Sequence, residues 1–101
     1  MSRREQLESM LAEDPEDTFL QYALAMELEQ EGEHEASLRL HQKLIQGDPP
    51  YVPSFFMAGQ QLARLERTDE ARQILSQGID QARQQNDLHA AGEMQGFLDS
   101  L

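Results

Sequence analysis

The chain has 101 residues and a formal charge of -11, from nineteen acidic and eight basic side chains, with 39% hydrophobic residues, 6% aromatic residues, no Trp and no Cys. This length supports one domain that hides roughly 65% of its unfolded-chain surface, and the scarcity of aromatics favours a thin, layered core over a thick one. The acidic balance opposes nucleic-acid binding, and the missing Cys removes disulfides, thiolate zinc sites, iron-sulfur clusters and thiol catalysis.

Arg3 and Arg4 give the start of the chain two cations, but Glu5, Glu8, Glu13 and Asp14 interrupt the apolar stretch that a signal peptide needs. No run approaches the roughly 20 apolar residues of a membrane span, so a cytoplasmic protein without membrane attachment is expected. Ser2 followed by Glu5 has the form of a capping box, and Leu7, Met10 and Leu11 mark one face of a first helix of about three turns. Asp14-Pro15 ends it and predicts the start of the second, with Asp14 as cap, Pro15 in the first turn, and Glu16 and Asp17 at the positive end of the dipole. That helix reaches about Gln30 and stops at Gly32; a third spans about Glu33 to Gln46 and breaks at Gly47-Asp48-Pro49-Pro50. A fourth runs from near Pro53 to about Glu66-Arg67, and Thr68, ahead of Asp69 and Glu70, predicts the cap of a fifth that continues to about Gln85. Asn86-Asp87 opens a last helix from Leu88 to about Ser100, which Gly92 and Gly96 each weaken by up to about 1 kcal/mol relative to Ala. Val52, Ile45, Ile74 and Ile79 are the few β-branched aliphatics, and no alternating run of strand length occurs, so the expected fold is all-α with about six helices.

Asp14-Pro15 and Asp48-Pro49 stand 34 residues apart, and much of the chain repeats at that interval. Leu11 falls on Ile45 and Ile79, Tyr22 on Phe56, Ala25 on Gly59, Leu28 on Leu62, and Ser37 on Ala71. Small residues meet small ones and apolar meets apolar. A helical hairpin that buries its stripe only against the next hairpin needs a small residue at each close approach, so the period reports stacked hairpins.

A 34-residue helix-turn-helix period with this placement of small and large residues resembles the tetratricopeptide repeat, with units at residues 18–51 and 52–85. In the second unit Phe55, Ala58-Gly59, Leu62, Ala71, Leu75 and Ile79 stand at the family's aromatic, Leu-Gly, Tyr, Ala, aromatic and final apolar positions. The first unit has Leu24-Ala25, Leu28, Gly32, Ser37, Ile45 and Asp48-Pro49 at the corresponding places. It departs from the pattern at Gln21 and His41, where aromatics are usual. The second departs at Gly78, where Ala is usual, at Glu66, which replaces the turn Gly, and at Arg83, which stands at the usual Pro position. Residues 1–14 look like the second half of a preceding unit, and residues 87–101 like a cap that covers the second unit through Leu88, Ala91, Met94, Phe97, Leu98 and Leu101. The resemblance therefore implies one domain over residues 1–101, a short right-handed α-solenoid of antiparallel hairpins, similar in layout to small free-standing bacterial members of the family.

The resemblance also implies a groove, lined by the first helices of successive hairpins, that takes a peptide or helix of a partner. Its positions here are Phe19, Tyr22, Met26, Glu29 and Gln30 from the first unit, and Pro53, Phe56, Gln60, Ala63 and Arg64 from the second. The same rings can equally pack on neighbouring helices. Tyr22 and Phe56 occupy places where carboxylate-clamping members carry basic or Asn residues, so that activity is not expected. Twelve acids and four bases in residues 1–50 favour basic partners there.

Other readings are weaker. Glu27, Glu29, Glu31, Glu33 and Glu35 lie near His34, which raises the possibility of a metal site, but alternate helical residues fan apart and a solvated acidic turn is expected instead. His41 is expected to fill an aromatic core position with its ring nitrogen satisfied, and His89 to be exposed. No phosphate loop, nucleophile elbow or His-Glu-x-x-His occurs, so a non-catalytic protein without a cofactor is expected. Self-association into a homodimer is the alternative to partner binding.

Overall fold

The computed structural model describes residues Met1–Leu101, which form six helices: α1 (Arg3–Glu13), α2 (Thr18–Gln30), α3 (His34–Ile45), α4 (Val52–Arg64), α5 (Thr68–Gln84) and α6 (Leu88–Asp99). Helix starts recur at the interval of the sequence period, α2 to α4 and α3 to α5. Each helix packs on its chain neighbours, and the one substantial further contact is α4 on α6, so hairpins stack in sequence order into a solenoid of 40 × 29 × 18 Å. No helix is long and apolar enough to cross a membrane.

Local chemistry sets the ends of these elements. The Ser2 hydroxyl accepts from the Glu5 amide at 3.1 Å while the Glu5 carboxylate accepts from the Ser2 amide at 3.2 Å, completing the predicted capping box. Two other predicted caps are displaced. Helix α2 is capped by Asp17, whose carboxylate accepts from Leu20 N–H at 2.9 Å, and Asp14-Pro15 lies in the preceding turn. Thr68 is already helical, and Arg67 stands at the cap without a side-chain hydrogen bond. Gly32, Glu66 and Asn86 share the left-handed conformation at the ends of α2, α4 and α5, with φ of 82°, 61° and 62°. In each case the next amide reaches back across the turn, as in Glu33 N–H to Leu28 C=O at 2.9 Å and Arg67 N–H to Leu62 C=O at 2.9 Å, the Schellman arrangement.

Ala25 and Gly59 are both buried, and a Cβ on Gly59 would sit 2.6 Å from the Leu75 side chain, so Leu75 of α5 packs directly on the α4 backbone there. Gly78 has the same role toward two neighbours: a Cβ would stand 2.5 Å from Phe55 Cβ and 2.7 Å from Met94 Sδ. The usual Ala does not fit at this position. The apolar core gathers on α4, α5 and α6 around Val52, Phe55, Leu75, Ile79, Ala91 and Met94.

Between the hairpins, at α3 and α4, the seam is polar. Ser37, His41, Ser54 and Gln61 are all fully buried. The Ser37 hydroxyl donates to Ala25 C=O at 2.5 Å and accepts from the Gln61 amide at 3.1 Å, and His41 Nδ1 shares a 3.0 Å hydrogen bond with the Ser54 hydroxyl. His41 does fill the core position, but only one ring nitrogen is satisfied: Nε2 is buried without a partner, as is Gln61 Oε1. The departure at Gln21 also has a cause, since its buried amide donates to Pro15 C=O at 2.8 Å and ties down the α1–α2 turn. Two apolar expectations fail. Met10 is 50% exposed and Leu88 65% exposed, because α1 and α6 are the ends of the stack and lack a neighbour on that side.

Candidate functional site

Helices α2, α4 and α6 follow one another along one side of the solenoid, and this is where the predicted groove residues fall. Tyr22 is half-buried, with its ring edge-on to Tyr51 at 5.3 Å and to His41 at 5.7 Å, and burial together with Tyr51 raises its phenol pKa above the ordinary value. Phe56 is likewise half-buried and meets Phe97 of α6 edge-on at 6.0 Å. Both rings thus pack on neighbours and still line open space.

Two cavities meet at Tyr22. One, of about 250 Å³, lies between α1 and α2 and is lined by Phe19, Tyr22, Ala23 and Met26, with Arg3, Glu27 and Gln30 at its edge. The other, of about 160 Å³, lies between α2, α4 and α6, with Tyr22, Pro53, Phe56, Met57, Ala90 and Met94 on its walls and the carboxylates Asp87 and Glu93 beside them. Phe19, 67% exposed, leaves an aromatic ring in solvent at the open end. Of the expected residues, Phe19, Tyr22, Met26, Gln30, Pro53 and Phe56 line this pair of cavities. Glu29 and Arg64 instead bind each other across α2 and α4 at 3.2 Å, and Gln60 and Ala63 line neither cavity.

The contribution of α6 is the part that sequence reasoning missed. Read as a cap, it was expected only to cover apolar surface; it also supplies Ala90, Glu93 and Met94 to the wall of the cavity it shares with α2 and α4. The signal was its position as the first helix of a further hairpin, masked because α5 has 17 residues where α3 has 12, which moves α6 out of the 34-residue phase.

Besides an open crevice of about 460 Å³ along the start of α3, lined by Glu33, His34, Glu35, Arg39 and Arg67, two crevices larger than these cavities lie elsewhere, and their chemistry argues against them as the primary site. One, of about 400 Å³ between α3 and α5, is crossed by Arg67, which binds Glu35 at 2.6 Å and Glu70 at 2.8 Å, so three of its four charged side chains are already paired. The Arg67 guanidinium accordingly holds the Glu70 carboxyl below its usual range. The other, of about 490 Å³, follows the Gly47–Pro50 turn and has few apolar walls. The glutamates around His34 do not converge, and no three His, Asp or Glu side chains group in a way that could hold a metal ion; His34 Nδ1 comes only within 3.8 Å of Glu29.

No family model and no curated protein matches the chain. Among solved structures, the solution structure of a tetratricopeptide repeat domain protein from Salinibacter ruber is 35% identical, covers 85% of this chain and 87% of its own, and superposes with a TM-score of 0.80. The chain belongs to the tetratricopeptide repeat family. A crystal structure of the Salinibacter ruber tetratricopeptide repeat domain protein agrees, at 34% identity over 84% of this chain and 94% of that one, with a TM-score of 0.75. The solution structure of a Bordetella parapertussis protein, 25% identical, covers 99% of this chain and 87% of its own with a TM-score of 0.83. This tetratricopeptide repeat solenoid has its aromatic cavities along α2, α4 and α6.

Proposed function

We propose that this chain is a non-catalytic interaction module of the cytoplasm, with repeat units at residues 18–51 and 52–85, a half unit at 1–14 and a closing helix at 87–101. Its groove, floored by Phe19, Tyr22, Met26 and Phe56, holds a peptide or a helix of another protein. The observation that carries this reading is Tyr22, which lines two cavities with apolar walls, one toward α1 and one toward α4 and α6. Rings fixed by edge-on neighbours, a flexible Met and a polar rim are the composition of a binding surface with an apolar centre. The test is capture from an extract of the source organism with the wild-type chain and with a Tyr22→Ser, Phe56→Ser double variant. The reading predicts that proteins retained by the wild type are lost from the variant while its helical circular dichroism persists; equal retention by both contradicts it.

A second reading, association of two copies, is favoured by the exposed Met10 and Leu88 at the two ends of the stack. It predicts a mass in light scattering that rises above the monomer value with concentration, and a mass constant at 11.5 kDa contradicts it.

A further inference from the structure

The cavity between α2, α4 and α6 combines two features that a purely apolar ligand would not use. Its walls are apolar and aromatic, yet its only charged lining groups are Asp87 and Glu93, and no Lys or Arg lines it. Asp87 gives one carboxylate oxygen to the Ala90 amide at 3.1 Å as the cap of α6, and Glu93 lies half-exposed with the exposed His89 at 3.3 Å. Three cations of α1 and α4 are paired with carboxylates outside this cavity: Arg3 with Glu27 at 3.7 Å, Arg4 with Glu31 at 3.1 Å, and Arg64 with Glu29 at 3.2 Å. The cavity is thus a small aromatic recess in a negative field, on a chain of charge -11. A carboxylate would be repelled there, and an aliphatic side chain would leave two carboxylates beside it unused.

We propose that this cavity takes a lysine or arginine side chain of the bound segment, its aliphatic stem against Tyr22 and Phe56 and its charged head toward Asp87 and Glu93. The assignment rests on the groove reading above. A long cationic side chain suits such a recess because its stem buries apolar area while its head stays at the rim among charges and ring faces. Asp87, the cap of α6, and Glu93 in its second turn lie six residues apart, about 9 Å along the axis, and both line the cavity. The Phe97 contact on Phe56 and the Tyr51 contact on Tyr22 hold both rings in place before binding, which limits the ordering cost of association.

The experiment is selection from a random peptide library on the immobilised full chain at low salt, in parallel with Tyr22→Ser, Phe56→Ser and with Asp87→Asn, Glu93→Gln. Asn also caps helices and Gln is isosteric with Glu, so the second variant keeps its fold, checked by thermal melting. Expected are wild-type peptides enriched several-fold in Lys or Arg at one position next to apolar residues. That enrichment disappears with Asp87→Asn, Glu93→Gln while the apolar preference stays, and replacing the selected cation by norleucine weakens wild-type binding about tenfold, which is about 1.4 kcal/mol. Peptides that need Tyr22 and Phe56 but show no cationic preference overturn this assignment and leave the groove standing. Peptides that bind the serine variant as well as the wild type, or no recovered peptides, overturn the groove and the assignment with it.

Discussion

Burial holds His41 neutral, with a pKa lowered from 6.5 to about 4, because its ring is enclosed between α3 and α4 with only Ser54 to bond. The unfolded chain binds the proton first as pH falls, so the stability contributed by the neutral ring is complete above pH 6.5 and is lost progressively down to about 4. Between about pH 7.5 and about pH 5 this removes about 2 kcal/mol. His41→Phe, which restores the family's aromatic, is predicted to flatten that dependence in urea unfolding; an unchanged slope would assign the pH sensitivity to other groups. Glu66 carries a second residue-scale cost, since its left-handed φ of 61° strains any side chain. Glu66→Gly is predicted to stabilise by about 1 kcal/mol, and Asn86→Gly by less because Asn tolerates that conformation. A loss of stability on Glu66→Gly would refute the strain argument. His41's place in the core was legible from the family's pattern, which has an aromatic at that position. Its partners were not, because Ser54 and Gln61 are polar residues whose burial depends on a facing helix, and such pairing leaves no mark in the pattern of one helix.

At the scale of elements, the boundaries of all six helices were legible to within a few residues, since Gly32, the Gly47–Pro50 stretch and Asn86-Asp87 interrupt the chain where helices end. The caps of α2 and α5 were not. Asp14, Glu16 and Asp17 compete at the start of α2, and only the turn geometry selects Asp17, whose carboxylate reaches Leu20 N–H. Helix α6 has a different liability. Gly92 and Gly96 are exposed and a Cβ on either meets nothing within 4 Å, in contrast to Gly59 and Gly78 at helix crossings. Gly92→Ala and Gly96→Ala are each predicted to raise stability by up to about 1 kcal/mol, read as an increase in melting temperature, whereas Gly78→Ala lowers it because Phe55 and Met94 block the methyl group. A destabilised Gly92→Ala would show that this face is occupied in the free protein.

Across the whole molecule, the apolar core is uneven. It is concentrated on α4, α5 and α6, while α1 buries a single residue, Leu7, and the hairpin seam at α3 and α4 is polar. The period made the stacked architecture legible, because equivalent small residues recur only where helices meet in the same way. The candidate groove was legible for α2 and α4, which keep phase, and illegible for α6, which the long α5 displaces. The acidic side chains of the groove and the net charge together predict that binding of a basic segment weakens as salt rises toward physiological strength and beyond. The most direct measurement is the mapping of amide shifts in the isotopically labelled chain as a library-selected peptide is added. The account predicts shifts concentrated on Phe19–Gln30, Pro53–Gln60 and Asp87–Phe97, centred on Tyr22 and Phe56. Shifts confined to the cleft of α3 and α5 around Arg39, Glu70 and Gln77 would contradict it.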